Sequence, residues 1–113
     1  MNINIRNLFI DDLNEIFFIE KSCYEFPWTK NNLANEISKP NTLNLCISAD
    51  SSLAGYCFSY IIDNEMFITN ICIHPDYRKK YLGTYLLKRL LDEAKKKSIG
   101  IVYLEVREKN FAA

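Results

Sequence analysis

The feature that most narrows the fold is the run from Met66 to Val106. Met66–Ile73 is almost wholly apolar or β-branched, which suits a central strand covered on both faces. A polar loop, His74–Lys80, follows. Leu82, Tyr85, Leu86, Arg89, Leu90, Glu93 and Ala94 then recur at the helical period, and Leu87 and Leu91 widen the stripe. The spacing predicts a helix over Leu82–Lys97, with Lys95, Lys96 and Lys97 at the negative end of its dipole. Gly100 reads as a turn and Ile101–Val106 as another buried-type strand. Strand, helix and strand in that order require a parallel pair with a right-handed crossover.

The chain ahead of this unit reads differently. Asn2–Asn7 alternates, with Ile3 and Ile5 on one face of a short strand. Asp11 or Asp12 opens a helix in which Leu13, Ile16, Phe17 and Glu20 share a face, and which ends before Pro27. Thr29 is the expected N-cap of a second short helix, with Leu33, Ala34 and Ile37 inward and Pro40-Asn41 as its stop. Three strands come next. Leu43, Leu45 and Ile47 alternate, Asp50-Ser51-Ser52 turns the chain, and Leu53–Ile62 returns with Gly55 as a bulge or close-approach site. Asp63-Asn64-Glu65 turns it again into Met66–Ile73. The expected fold is therefore an α/β domain. Its mixed β-sheet combines an antiparallel meander with a parallel strand–helix–strand unit and is flanked by helices.

Composition excludes several roles. Fourteen basic residues balance fourteen acidic ones, without the dominant basic field of a nucleic-acid binder. No apolar run approaches a membrane span and no leader pattern opens the chain, so a cytoplasmic protein without membrane contact is expected. Cys23, Cys46, Cys57 and Cys72 show no C-x-x-C spacing and no histidine at ligand distance in sequence. They are expected as free buried thiols, with no metal site. His74 stands alone in a loop and reads as a turn residue.

The segment Tyr77-Arg78-Lys79-Lys80-Tyr81-Leu82-Gly83-Thr84 joins the central strand to the long helix. A helix start offers unpaired backbone N–H groups and partial positive charge, so a phosphate-bearing ligand is held there readily. Three basic side chains at the mouth and Gly83, which lets an anion approach the backbone, fit that use. A solvated basic turn has the same composition, and these residues alone leave both readings open.

Three motifs go further. Asn70–Gly83 resembles the coenzyme A motif of the GNAT superfamily: an apolar strand, a V-x-P-x-Y-R-type turn, then Q/R-x-x-G-x-G/A opening a helix. Leu104-Glu105-Val106-Arg107-Glu108-Lys109-Asn110 resembles that family's L-E-V-R-x-x-N segment. Phe26-Pro27-Trp28 resembles the F-P-W of the bacterial ribosomal-protein-alanine (RimI-type) N-acetyltransferases. The pieces stand in the family's order and span most of the chain. Two departures are visible. Tyr81 occupies the first glycine position of the phosphate motif, and the family continues past Ala113 with a helix, a tyrosine and further strands.

The resemblance implies a single N-acetyltransferase domain over residues 1–113, lacking the family's last helix and strands. It implies acetyl-CoA as co-substrate and the N-terminal alanine of a small-subunit ribosomal protein as acceptor. In the family the two parallel strands splay and the pantetheine arm enters the gap. Carried over, Ile71, Cys72 and Ile73 would pair with that arm, Lys79, Lys80, Tyr81, Leu82, Gly83 and Thr84 would hold the phosphates, and Asn110 would line the acyl end. Glu105 would be the general base, raised in pKa by partial burial. The family's general acid, the later tyrosine, has no counterpart in this sequence. Tyr24, Phe26 and Trp28 would line the acceptor site or plug the space between two helices. A non-catalytic acyl-CoA-binding remnant, or a GNAT enzyme acting on a lysine side chain or a small amine, remain the alternatives.

Overall fold

The computed structural model describes residues 1–105. Val106 and Asn110, and with them residues 106–113, lie outside them. Five strands form one sheet in the order β1-β2-β3-β4-β5: Ile3–Asn7, Leu45–Ala49, Ser52–Ile62, Glu65–Ile73 and Ile101–Leu104. The first three pairings are antiparallel and β4–β5 is parallel, as the meander and the crossover unit require. Helices α1 (Leu13–Cys23) and α2 (Lys30–Ser38) cover one face, and α3 (Leu82–Lys96) covers the other.

Local chemistry explains these boundaries. The Thr29 hydroxyl accepts from the Asn32 N–H at 3.1 Å and caps α2. Arg6 grips the carboxylate of Asp12 with two bonds of 2.9 Å, and the Phe9 N–H adds a third at 2.8 Å, fixing the entry to α1. The Arg6 hydrogen bond holds the Asp12 carboxyl below its usual value against the opposing effect of burial. On α3, Leu82, Leu86, Leu90 and Ala94 are buried at four-residue spacing. Removing a side chain such as Leu86 or Leu90 from water contributes about 1.5–3 kcal/mol. Leu91 and Tyr85 are exposed, so the stripe is narrower than the sequence suggests.

Two irregularities shape the sheet. Ile47 pairs with Gly55 but Ser48 pairs with Leu53, so Ala54 is an extra residue in β3. Gly55 sits beside this bulge, where an added Cβ would meet the main chain of β4 at Cys72 and Ile73. Phe58 pairs with Asn70 while Ser59 pairs with Ile68, leaving Thr69 as an extra residue in β4. The second bulge reverses the alternation of side chains. Met66 and Ile68 face α3 before it, and Ile71 and Ile73 face α3 after it. Asn70 and Cys72 turn to the α1 side.

Two expectations need correction. Ile101–Leu104 is not a buried strand: β5 is an edge, with Ile101, Tyr103 and Leu104 exposed. Its apolar sequence suggested burial, but no described strand pairs with its outer side. Cys23 and Cys72 are not free thiols but a disulfide between α1 and β4, with Cα atoms 6.6 Å apart. They are 49 residues apart in sequence, and only the packing of α1 on the sheet brings them together. Cys46 and Cys57 are free and buried, as expected.

Candidate active site at the splayed strands

Pairing of β5 with β4 runs from Glu65↔Ile101 to Ile68↔Leu104, followed by a bond from Glu105 N–H to the Ile68 carbonyl at 3.0 Å. The β4 bulge at Thr69 comes next, and beyond it β4 has no described strand on that side. A gap opens there. The His74 N–H donates to the Ala54 carbonyl at 2.7 Å, which sets the parity of the β3–β4 ladder. By that parity Cys72 turns its peptide groups to β3, and Ile71 and Ile73 turn theirs into the gap.

Both carbonyls in the gap are already engaged. The Tyr24 hydroxyl lies 3.2 Å from the Ile71 oxygen, and Arg78 Nε donates to the Ile73 oxygen at 2.9 Å. The N–H groups of Ile71 and Ile73 face the same space without a partner among the described residues. The gap thus presents a row of donors, suited to a ligand that offers carbonyl oxygens.

A cleft of about 520 Å³ continues from the gap to the start of α3. Ile71, Cys72, Ile73, Lys79, Tyr81, Leu82, Gly83 and Thr84 all line it. The helix has no side-chain cap, and its first internal bond is Tyr85 N–H to the Tyr81 carbonyl at 3.0 Å. The N–H groups of Leu82, Gly83 and Thr84 are therefore open to a phosphate. Tyr81 holds the left-handed conformation, φ 64° and ψ 16°, and Lys79 has φ 63°. Tyr81 thus adopts a backbone usually left to glycine, and its side chain is 75% exposed. Gly83 is not in that region. A Cβ there would stand 3.6 Å from Ile73, so its value is the space it leaves between helix and strand.

The basic side chains part company. Lys79 lines the cleft, whereas Lys80 lies over the Tyr77 ring at 5.9 Å. Arg78 folds inward to the Ile73 carbonyl and the Cys23 sulfur, and burial lowers its pKa. Tyr77 and Leu87 also line the cleft. The sequence places Leu87 on the apolar stripe of α3; its position four residues after Gly83 also brings it to the cleft.

A second cleft, about 700 Å³, lies on the other side of the bulge. Trp28, Tyr60, Thr69 and Glu105 line it. Glu105 is exposed at the end of β5, so the described residues do not provide the partial burial expected for it. The three aromatics of the α1–α2 connection divide. Trp28 lines this cleft with its ring 5.9 Å from that of Phe58, Phe26 is 68% exposed, and Tyr24 is buried. Behind them Glu20 is buried. It accepts from the Tyr56 hydroxyl, from Asn70 Nδ2 at 2.9 Å and from the Trp28 N–H at 2.8 Å. Burial first, then Glu20, pushes the Tyr56 hydroxyl well above its usual pKa. Asn70 is the one amide in a largely apolar strand, a signal the sequence reading passed over. His74 is a turn residue: its Nδ1 accepts from the Asp76 N–H at 3.1 Å and its ring stacks on Phe18 at 5.6 Å.

A mixed sheet whose parallel pair splays beside an uncapped helix start is the architecture of an acyl-group transferase. The chain belongs to the acetyltransferase (GNAT) family, whose model matches residues 11–113. A relative in Bacillus subtilis (strain 168) is 36% identical over 110 residues, which are 96% of this chain and 73% of the relative. The ribosomal protein bS18-alanine N-acetyltransferase of Escherichia coli (strain K12) is 31% identical over 109 residues, with the same two shares, 96% and 73%. Among solved structures, the ribosomal-protein-S18-alanine N-acetyltransferase from Escherichia coli superposes with a TM-score of 0.90 at 30% identity, covering 98% of this chain and 71% of that one. The PaiA N-acetyltransferase from Thermoplasma acidophilum, solved with coenzyme A, gives 0.86 at 28% identity, covering 99% and 84%.

Proposed function

We propose that this chain is a single acetyltransferase domain that moves the acetyl group of acetyl-CoA to an N-terminal amine. The leading acceptor is the N-terminal alanine of a small-subunit ribosomal protein, modified in the cytoplasm. One observation carries the reading: two clefts flank the same bulge in β4, Thr69 lining the larger and Ile71 the smaller. The smaller offers donors and an open helix start for an acyl thioester with a pyrophosphate, and the larger offers a carboxylate for an amine. The names of the relatives in Escherichia coli supply the acceptor.

The chain's residues divide the work. Thr84, Gly83, Leu82 and Lys79 bind phosphate, with Tyr81 and Lys80 at the mouth. Ile71 and Ile73 N–H groups orient and polarise the thioester carbonyl, and Cys72 completes the wall. An α-amino group has a pKa of about 7.7–8.0, so much of it is protonated at neutral pH and cannot attack. Glu105 takes that proton. The amine nitrogen then bonds to the acyl carbon as the carbon–sulfur bond breaks, and the departing coenzyme A thiolate takes up the second proton that the nitrogen sheds.

The test is mass spectrometry of an alanine-initiated peptide after incubation with acetyl-CoA. One acetyl group on the α-amine is expected, and none when that amine is blocked in advance. Acetyl on a lysine side chain would assign a different acceptor. No acetylation of any peptide, with coenzyme A binding intact, would leave an acyl-CoA-binding module.

A further inference from the structure

We infer that Tyr24 is a positioning residue for the acyl group, an assignment that rests on the acetyl-transfer reading above. Four main-chain groups of β4 face the gap: the N–H and C=O of Ile71 and the N–H and C=O of Ile73. An open carbonyl in that row would set its lone pairs against the oxygen of any acyl group lying there, and would repel it more as negative charge grew on that oxygen. Arg78 Nε removes one such carbonyl, at Ile73. The Tyr24 hydroxyl removes the other, at Ile71, 3.2 Å away. The gap is then donor-only.

The hydroxyl is held where it is needed. Tyr24 is 5% exposed, and the same oxygen lies 2.7 Å from Asn70 Oδ1. Asn70 is fixed in turn by donating to Glu20, which also binds Tyr56. The single phenolic proton is shared between an amide oxygen and the Ile71 carbonyl. Tyr24 thereby ties the first gap-facing carbonyl after the bulge to a buried polar cluster under α1. The bulge frees this stretch from β5, so the restraint that a neighbouring strand would supply comes from a side chain instead. The sequence gives no hint of this, because the contact joins residues 47 apart.

The variant is Tyr24→Phe, which keeps the ring in the core and deletes the hydroxyl. Affinity for coenzyme A, measured by calorimetry, should stay within about twofold, because the phosphates sit on α3. The preference for acetyl-CoA over coenzyme A should shrink, and kcat should fall by about tenfold, the cost of one misaligned hydrogen-bonding group. Ser59→Ala is the control. It deletes another buried hydroxyl bound to a carbonyl, that of Leu43, away from the gap. It should lower the melting temperature comparably and leave kcat unchanged.

Unchanged kcat and unchanged acetyl preference in Tyr24→Phe would overturn the assignment, as would a loss of coenzyme A affinity in step with kcat. Should the wild-type chain transfer no acetyl group, the functional reading fails separately. The ratio of acetyl-CoA to coenzyme A affinities, wild type against Tyr24→Phe, still decides the role of Tyr24. A wild-type chain that binds neither ligand would overturn both.

Discussion

Replacing Tyr81 by glycine separates two effects that a departure from the family's phosphate motif would otherwise merge. Tyr81 stands in the left-handed region at φ 64°. A residue with a Cβ loses roughly 1–2 kcal/mol there relative to its preferred backbone, and glycine loses almost nothing. Glycine in turn gives the unfolded chain more freedom, which costs about 0.5–1 kcal/mol. The side chain is 75% exposed, so deleting it sacrifices little burial. The balance is a stabilisation of about 0–1.5 kcal/mol, read as an unchanged or raised urea midpoint. The affinity argument runs separately. The backbone already has the conformation a glycine would take, so the N–H groups of Leu82, Gly83 and Thr84 point the same way in both proteins. Coenzyme A affinity by calorimetry should change less than about threefold, or roughly 0.7 kcal/mol. Tightening beyond tenfold would mean that the phenol crowds the phosphates. A destabilisation above about 1 kcal/mol would mean that the ring supports the loop in a way its exposure conceals.

Three further outcomes follow from particular groups. Glu105→Gln should leave the acetyl-CoA dissociation constant nearly unchanged and lower kcat by about 10²- to 10⁴-fold. Partial rescue at alkaline pH is expected as the amine deprotonates unaided, and full activity at neutral pH would assign the base elsewhere. Denatured without reductant, the protein should titrate as two thiols, Cys46 and Cys57, and as four after reduction. Four at the outset would remove the Cys23–Cys72 bond and suit a reducing compartment better. In the native state those two should resist alkylation at neutral pH, since burial pushes Cys46 up to about 11 and Cys57 to about 12. Asp12 has a lowered folded pKa, so its stabilisation is present above its unfolded pKa of about 3.9 and is lost as pH falls through the folded value. Asp12→Asn should therefore be less stable than wild type at pH 7 and converge with it in acid. A constant gap down to the lowest pH would refute that linkage.

What could be read in advance was what periodicity and local chemistry encode. The apolar run of β4, the four-residue spacing on α3 and the Thr29 cap each carry their structure within a few residues, and the structure has them in place. The junction proposed to hold phosphate was legible as a junction because a strand, a basic turn and a helix start are consecutive in sequence. Contacts that depend on where the sheet puts distant residues were not legible. Cys23 meets Cys72, Tyr24 meets Ile71 and Glu20 meets Tyr56 and Asn70 only after α1 lies on the sheet. The exposure of Glu105 is likewise a property of what surrounds it. The bulge at Thr69 has no residue signature of its own, since a threonine suits a regular strand equally well.

That bulge gives β4 something like a reading frame. Side chains before it follow one parity and those after it the other, and both stretches meet the same helix only because one residue is counted out. Substitutions along the strand should be judged position by position. A change of length at 69 is different in kind. Deleting it would let Asn70 follow Ile68 in a regular ladder: the side chains would keep their faces, but the bulge at which β4 parts from β5 would be gone. The strand is thus far more tolerant of spelling than of length, and a homologue that loses or gains a residue here would keep the composition of the site and lose its arrangement.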